Sequence, residues 1–259
     1  MNDAHRSNAA DLRGVAFAAF LAALWTGVCA SGVVPEGQLP SPYEVLQALF
    51  AESPRLPAPA LATLRRTLLA FLLGGLGGVA LGLGHGVFPV FRKTTALAIE
   101  GLRPLPSVAL IPLGILLYGM GDPLNIAVAA FACAWPCFIS ARDGVRGVNP
   151  MLLDTARTIG LGRVQTIGCV ILPAAFPAIA TGLRIALGVA FAVEVSVELV
   201  IPRQGLGALA STAALAGESA LLYAAILATG LVGLLLNHLL RRATQRLLRP
   251  YGQQWSGGA

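Results

Sequence analysis

Residues 149–173, NPMLLDTARTIGLGRVQTIGCVILP, interrupt a chain that is otherwise a succession of long apolar stretches. The segment carries Asp154, Arg157 and Arg163. Ionised groups at that density do not sit in hydrocarbon, so the segment must face water. Asn149 is suited to cap a helix that begins at Pro150, where a missing N–H costs nothing. Leu152, Thr155, Ala156 and Ile159 recur at i, i+3, i+4 and i+7 and form one narrow, mostly apolar face. Gly160 is placed to end that helix in the left-handed conformation. Val164, Ile167, Gly168 and Ile171 then carry a second helical stripe, expected to stop at Pro173. Both helices fall short of the roughly 12 to 15 residues that an isolated helix needs. The segment therefore predicts a partner that grips it.

The flanking sequence belongs in a bilayer. Hydrophobic residues make up 56% of the 259 and charged residues 12%, about half the charged share of an average soluble domain. Mean hydropathy is +0.75. An all-α integral membrane protein of about six transmembrane helices follows, each needing about 20 residues to cross roughly 30 Å of hydrocarbon. The expected spans are 14–34, 64–90, 96–120, 123–141, 174–201 and 220–240. This divides the chain into an N-terminal tail (1–13), a single transmembrane domain (14–240) with its water-facing loop at 142–173, and a C-terminal tail (241–259). Residues 14–34 lack a clear small-residue cleavage site, so they are expected to be a retained span, not a secretion signal.

Six spans put both termini on one side. Arg6, Arg13, Arg92, Lys93, Arg142, Arg146, Arg157, Arg163, Arg241, Arg242, Arg246 and Arg249 fall on that side, against Arg55, Arg65, Arg66 and Arg203 opposite. The positive-inside rule makes the side with the termini cytoplasmic, and the 142–173 loop goes with it. The net charge of +6 lies mostly in short loops and in RRATQRLLR at 241–249, where that rule and contact with anionic lipid account for it. No nucleic-acid partner is implied.

No catalytic or metal site is predicted. Cys133 and Cys137 are one turn apart in an apolar span and read as packing, while Cys29 and Cys169 complete no framework. His5, His85 and His238 are scattered, without an HExxH pair or an acid cluster. GxSxG is absent as well. The single lysine, Lys93 in FRKTT, follows Arg92 where a phosphate-cradling loop needs glycine, so the chain is not an ATPase.

Polar and breaking residues in the spans carry the remaining signal. In PEGQLPSPYEVLQALF (35–50), Ser41 and Pro42 start a short amphipathic helix. Span 64–90 holds Gly74, Gly75, Gly77, Gly78, Gly82, Gly84 and Gly86, small residues that let helix backbones approach closely in lipid. Span 96–120 is broken by Pro104, Pro106 and Pro112. Irregular backbone at membrane depth is tolerated where it is buried in protein or lines a wet cavity, so this span is expected inside the bundle. Glu100 and Arg103, three residues apart, can meet on one face, as a structural ion pair or as part of a gate.

Arg184, Glu194 and Glu198 interrupt span 174–201. An ionised group at the bilayer centre costs about 2.5 to 3.5 kcal/mol on insertion scales, so these should face the interior, a cavity or an interface. Glu194 and Glu198 share a face. Two carboxylates repel an anionic solute unless one is neutral or paired, and Arg184 is the expected partner. Glu100, Arg103, Arg184, Glu194 and Glu198 are thus the candidate pathway residues, with a purely structural role still open for Glu198.

The pattern Asp154-Thr155-Ala156, three residues, Gly160, nine residues, Val170-Ile171-Leu172-Pro173 resembles the EAA signature of permease subunits of bacterial ABC importers. Asp154 stands where Glu is usual, and Val170 where Ile is. PSVALIPLGILLYGMGDP (106–123), DGVRGVNP (143–150) and GLRIALG (182–188) resemble the branch that imports nitrate, sulfonates, taurine and related compounds. The likeness extends over residues 40–240.

The resemblance implies a type I (MetI-like) permease bundle in the bacterial inner membrane. It implies a homodimer, two cytoplasmic ATPase subunits that bind ATP and Mg²⁺, and a periplasmic or extracellular binding protein. The imported solute would be a sulfonate, taurine, nitrate, bicarbonate or a related compound. The coupling contact to the ATPase would fall on Leu152, Asp154, Thr155, Ala156, Arg157, Gly160, Leu172 and Pro173. Within the chain no cofactor is implied. The rival reading is a secondary transporter or channel without an ATPase, which predicts an obvious intramembrane ion site and often an internal repeat; neither is evident.

Overall fold

The computed structural model describes residues 3–35 and 37–248, and every regular element among them is helical. α1 (Asp3–Ala30) and α2 (Pro42–Ala51) precede a long α3 (Pro57–Val87). α4 (Pro89–Leu102), a 3-10 turn (Ser107–Leu110) and α5 (Ile111–Tyr118) follow, then α6 (Asp122–Arg146). α7 (Pro150–Thr158) and α8 (Arg163–Thr166) lead through a π-turn (Ile167–Ile171) into α9 (Leu172–Val200). α10 (Leu206–Ala216) and α11 (Ser219–Leu248) end the described chain.

α6 lies between α3 and α9, and these three helices form the core. Gly74, Gly78 and Gly82 recur every fourth residue on one face of α3. A Cβ at any of them would overlap the backbone carbonyl of Ala130, Ala134 or Phe138 on α6. On the other side of α6, Gly182 of α9 sits against Ser140. Lipid gives no hydrophobic drive to helix association, so backbone proximity and dense van der Waals contact hold such a bundle together. Leu72, Leu73 and Leu76 of α3 correspondingly point outward and are exposed.

Among the described residues, four helical stretches are long and apolar enough to cross a membrane: α3, α6, the rod from Arg163 to Val200, and α11. The pair Pro89–Leu102 and Ser107–Tyr118 passes the same test together but is bent by 90°, the form of a broken span or a re-entrant loop. The remaining expected span, 14–34, falls on α1, whose apolar part is the shorter Ala19–Ala30. α2 begins with a capping box: Ser41 Oγ accepts from the Glu44 N–H at 3.3 Å, and Glu44 Oε2 accepts from the Ser41 N–H at 2.7 Å.

Two expectations are corrected. The stripe after Gly160 does not stop at Pro173 but continues through α9. Proline has no N–H to give the i→i−4 ladder, and the π-turn just before it shifts the register there, so the helix passes the proline. The broken span is not interior to this chain: α4 holds no buried residue, and α5 buries Ile111 and Gly114. The close α3–α6–α9 packing already fills that interior. Of the three prolines, Pro106 breaks the helix with an extended backbone, φ −63° and ψ 118°, whereas Pro112 opens α5, where its missing N–H is harmless.

Candidate functional sites

The first site is built from α7. Asn149 Oδ1 accepts from the Met151 N–H at 2.9 Å, as an N-cap does. At the other end Gly160 adopts φ +77°. The Gly160 N–H donates to Arg157 O and the Leu161 N–H to Ala156 O, both at 3.0 Å; this pair of bonds is a Schellman C-cap, which needs the left-handed residue. The face expected from the sequence is divided. Ala156 is buried, while Met151, Leu152 and Ile159 are exposed. Asp154 and Arg157 pair with each other at 3.1 Å on the exposed side. Leu172 and Pro173 begin α9, behind the π-turn against which α7 rests.

The second site lies at the other end of the bundle, where Glu194 is 22 residues beyond Leu172, ~33 Å along the helix. Arg66 of α3 is its centre. Its Nε stands 2.9 Å from Glu194 Oε1, an ionic contact whose N–H is not aimed at the oxygen. Its Nη2 donates to Glu198 Oε1 at 2.8 Å, and its Nη1 to Asp122 Oδ1 at 3.1 Å. Nη2 also donates to the Gln204 carbonyl. Asn125 Nδ2 donates to Glu194 Oε1 at 3.0 Å, and Thr63 Oγ1 to Glu198 Oε1 at 2.8 Å. Arg65 pairs with Asp122 on the rim.

Backbone geometry completes the cradle. The Gly207 N–H donates to Glu198 Oε2 at 2.9 Å. Gly205 adopts φ +130°, and a Cβ there would overlap the Glu198 carboxylate. A cavity of ≈ 410 Å³ opens beside Arg66, lined by Asp122, Asn125, Arg203 and Gln204. Such a network ties α3, α6, α9 and the α9–α10 loop into one register at this end. Each of its two glutamates contacts Arg66, while Glu194 Oε2 is buried without a hydrogen-bond partner.

The sequence reading paired the two glutamates with Arg184; the structure pairs them with Arg66. Glu194 lies ten residues beyond Arg184, ~15 Å along the helix and out of reach. Glu100 and Arg103 are both exposed and form no ion pair with each other. Arg66, Asn125 and Thr63 were missed. A signal for Arg66 existed: 66, 70, 74, 78 and 82 form one series of spacing four, and its last three members are the packing glycines.

The family model described as "Binding-protein-dependent transport system inner membrane component" matches residues 74–250. The chain belongs to this family. It is a multi-pass membrane transport permease and not an enzyme. The permease is 32% identical over 240 residues to the taurine transport system permease protein TauC of Escherichia coli (strain K12), covering 90% of this chain and 87% of that one. It is 30% identical over 187 residues to the nitrate import permease protein NrtB of Leptolyngbya laminosa, covering 72% of this chain and 67% of that one. Its fold matches that of the MetNI methionine ABC transporter in an inward-facing conformation, with a TM-score of 0.64 at 17% identity over 75% of this chain and 95% of the other. That likeness carries the MetI-type fold.

Proposed function

We propose that this permease imports a small oxyanion, a sulfonate such as taurine or nitrate, across the bacterial inner membrane with both termini in the cytoplasm. It works as a homodimer with two cytoplasmic ABC ATPases, which bind the ATP and Mg²⁺, and an external binding protein that delivers the solute. The observation that carries the reading is α7: a short helix, capped at both ends, that holds Met151, Leu152 and Ile159 in the open beside the Asp154–Arg157 pair. Apolar side chains on a short water-facing helix are what a groove on a partner takes up. Leu152, Thr155, Ala156 and Gly160 shape the plug, Asp154 and Arg157 orient it, and Leu172 and Pro173 pass its movement to α9.

Orientation follows from the arginine distribution, and the solute class from the relatives' substrates. The test is co-purification in mild detergent followed by uptake in proteoliposomes. An ATPase retained by the intact permease and lost on deleting residues 150–163, together with ATP-dependent uptake of taurine or nitrate, is the expected result. Retention without the segment, or uptake of neither anion, would overturn it.

A further inference from the structure

Arg184 sits near the middle of α9, 12 residues from Leu172 and 16 from Val200, ~18 Å and ~24 Å along the helix. It is exposed, and its guanidinium has no hydrogen-bond or ion-pair partner among the described residues. Its five N–H donors find no acceptor within the described residues. A guanidinium at that depth does not face lipid without cost; it belongs at a wet cavity or an interface. The carboxylates that the sequence offered it are held by Arg66 instead.

A second polar group shares the place. Asn237 of α11, also exposed and without a hydrogen-bond partner, lines with Arg184 a notch of ≈ 30 Å³ between α9 and α11. The rest of its lining, Leu187, Gly188, Phe191, Gly233 and Leu236, is apolar, so Arg184 and Asn237 form the polar edge of a space larger than the ~10–15 Å³ that one water occupies. Gly188, one turn beyond Arg184, leaves open space where a side chain would stand.

We propose that Arg184, assisted by Asn237, is the contact for the oxyanion head of the transported solute, on a water-filled pathway along α9. The proposal rests on the reading of the permease as an oxyanion importer. Arg suits this task because its planar fork of N–H donors matches two oxygens of a sulfonate or nitrate at once, which lysine cannot do. The amide of Asn237 adds a neutral donor on the neighbouring helix. Glu194 and Glu198 both contact Arg66 and lie ten and 14 residues beyond Arg184, ~15 Å or more along the helix, so neither competes for Arg184.

The test uses the permease assembled with its ATPases and binding protein in proteoliposomes. Arg184→Cys, in a background with Cys29→Ser and Cys169→Ser, is treated with a membrane-impermeant maleimide in the presence and absence of ATP. Labelling in at least one condition is expected; no labelling in either overturns the pathway placement whatever the solute. In uptake, Arg184→Gln is expected to raise KM for the anion roughly ten-fold or more, the loss of one charge-assisted contact. Arg184→Lys should recover part of that loss, and ATPase retention should be unchanged. Equal uptake by wild type and Arg184→Gln overturns this inference alone. Failure of the wild type to move either anion overturns the oxyanion reading itself, and this assignment with it.

Discussion

Arg66 Nη2 on α3 donates to Glu198 Oε1 on α9 at 2.8 Å, and both side chains are almost wholly buried. The pair joins residues 132 positions apart in the chain. It also answers a difficulty posed by composition alone: two glutamates one turn apart in a membrane span need a cation. That cation comes from another helix. Each consequence of this arrangement, and of the packing and capping beside it, can be measured.

Arg66→Met leaves Glu194 and Glu198 buried without their counter-charge. Breaking one partner of a buried ionic network costs about 3–5 kcal/mol, so the variant should melt well below wild type in detergent. Adding Glu194→Gln and Glu198→Gln to Arg66→Met should recover part of the loss. A melting temperature equal to wild type for Arg66→Met would rule out the network as a stabilising element.

Gly78→Leu places side-chain atoms where the Ala134 carbonyl stands. Forcing extra carbons into a packed interface costs typically about 1–3 kcal/mol, and here the obstacle is backbone, so the upper end is expected. Gly77→Leu, on a face with open space, serves as the control. Size-exclusion profiles after heating should separate the two, and similar profiles would contradict the close α3–α6 approach.

Gly160→Val forces a β-branched residue into φ +77°, a conformation that costs roughly 1–2 kcal/mol for an L-residue. The strain falls on the C-cap of α7 and not on the bundle. The isolated permease should keep its melting temperature while retention of the ATPase and ATP-driven uptake fall. Full coupling in this variant would remove the cap from the mechanism.

Asp154→Ala deletes an exposed ion pair with Arg157. Such pairs contribute about 0.2–1 kcal/mol, so the fold should barely register the change. A weaker hold on the ATPase at unchanged melting temperature assigns Asp154 to the docking contact, and Asp154→Glu should retain it. Unchanged ATPase affinity in Asp154→Ala would leave Asp154 outside the contact.

The features legible before any fold was known are those written in local spacing. Asn149, Pro150 and Gly160 specify a helix and its two caps because capping is settled within a few residues of the terminus. Ser41, Pro42 and Glu44 do the same for α2. The prolines between Leu102 and Ile111 announce a break, since a missing N–H and a fixed φ act on the chain wherever it lies. The glycines of α3 indicate close packing, although not the partner, which is α6.

What was not legible depended on positions brought together from far along the chain. Arg66 reads from sequence as one more charge near a span terminus, and Arg184 as the natural companion of Glu194 and Glu198 because all three lie on one helix. A helix rises ~1.5 Å per residue, so proximity in sequence left Arg184 ~15 Å from Glu194, while the packing of α3 against α6 and α9 carried Arg66 to both carboxylates. By itself the sequence determined that the chain is a membrane bundle with a capped, water-facing helix between two spans, because hydropathy and capping are local. Only the tertiary structure decided which arginine pairs with the buried acids and which stays unpaired, because charge pairing depends on distance across helices and not on spacing along one.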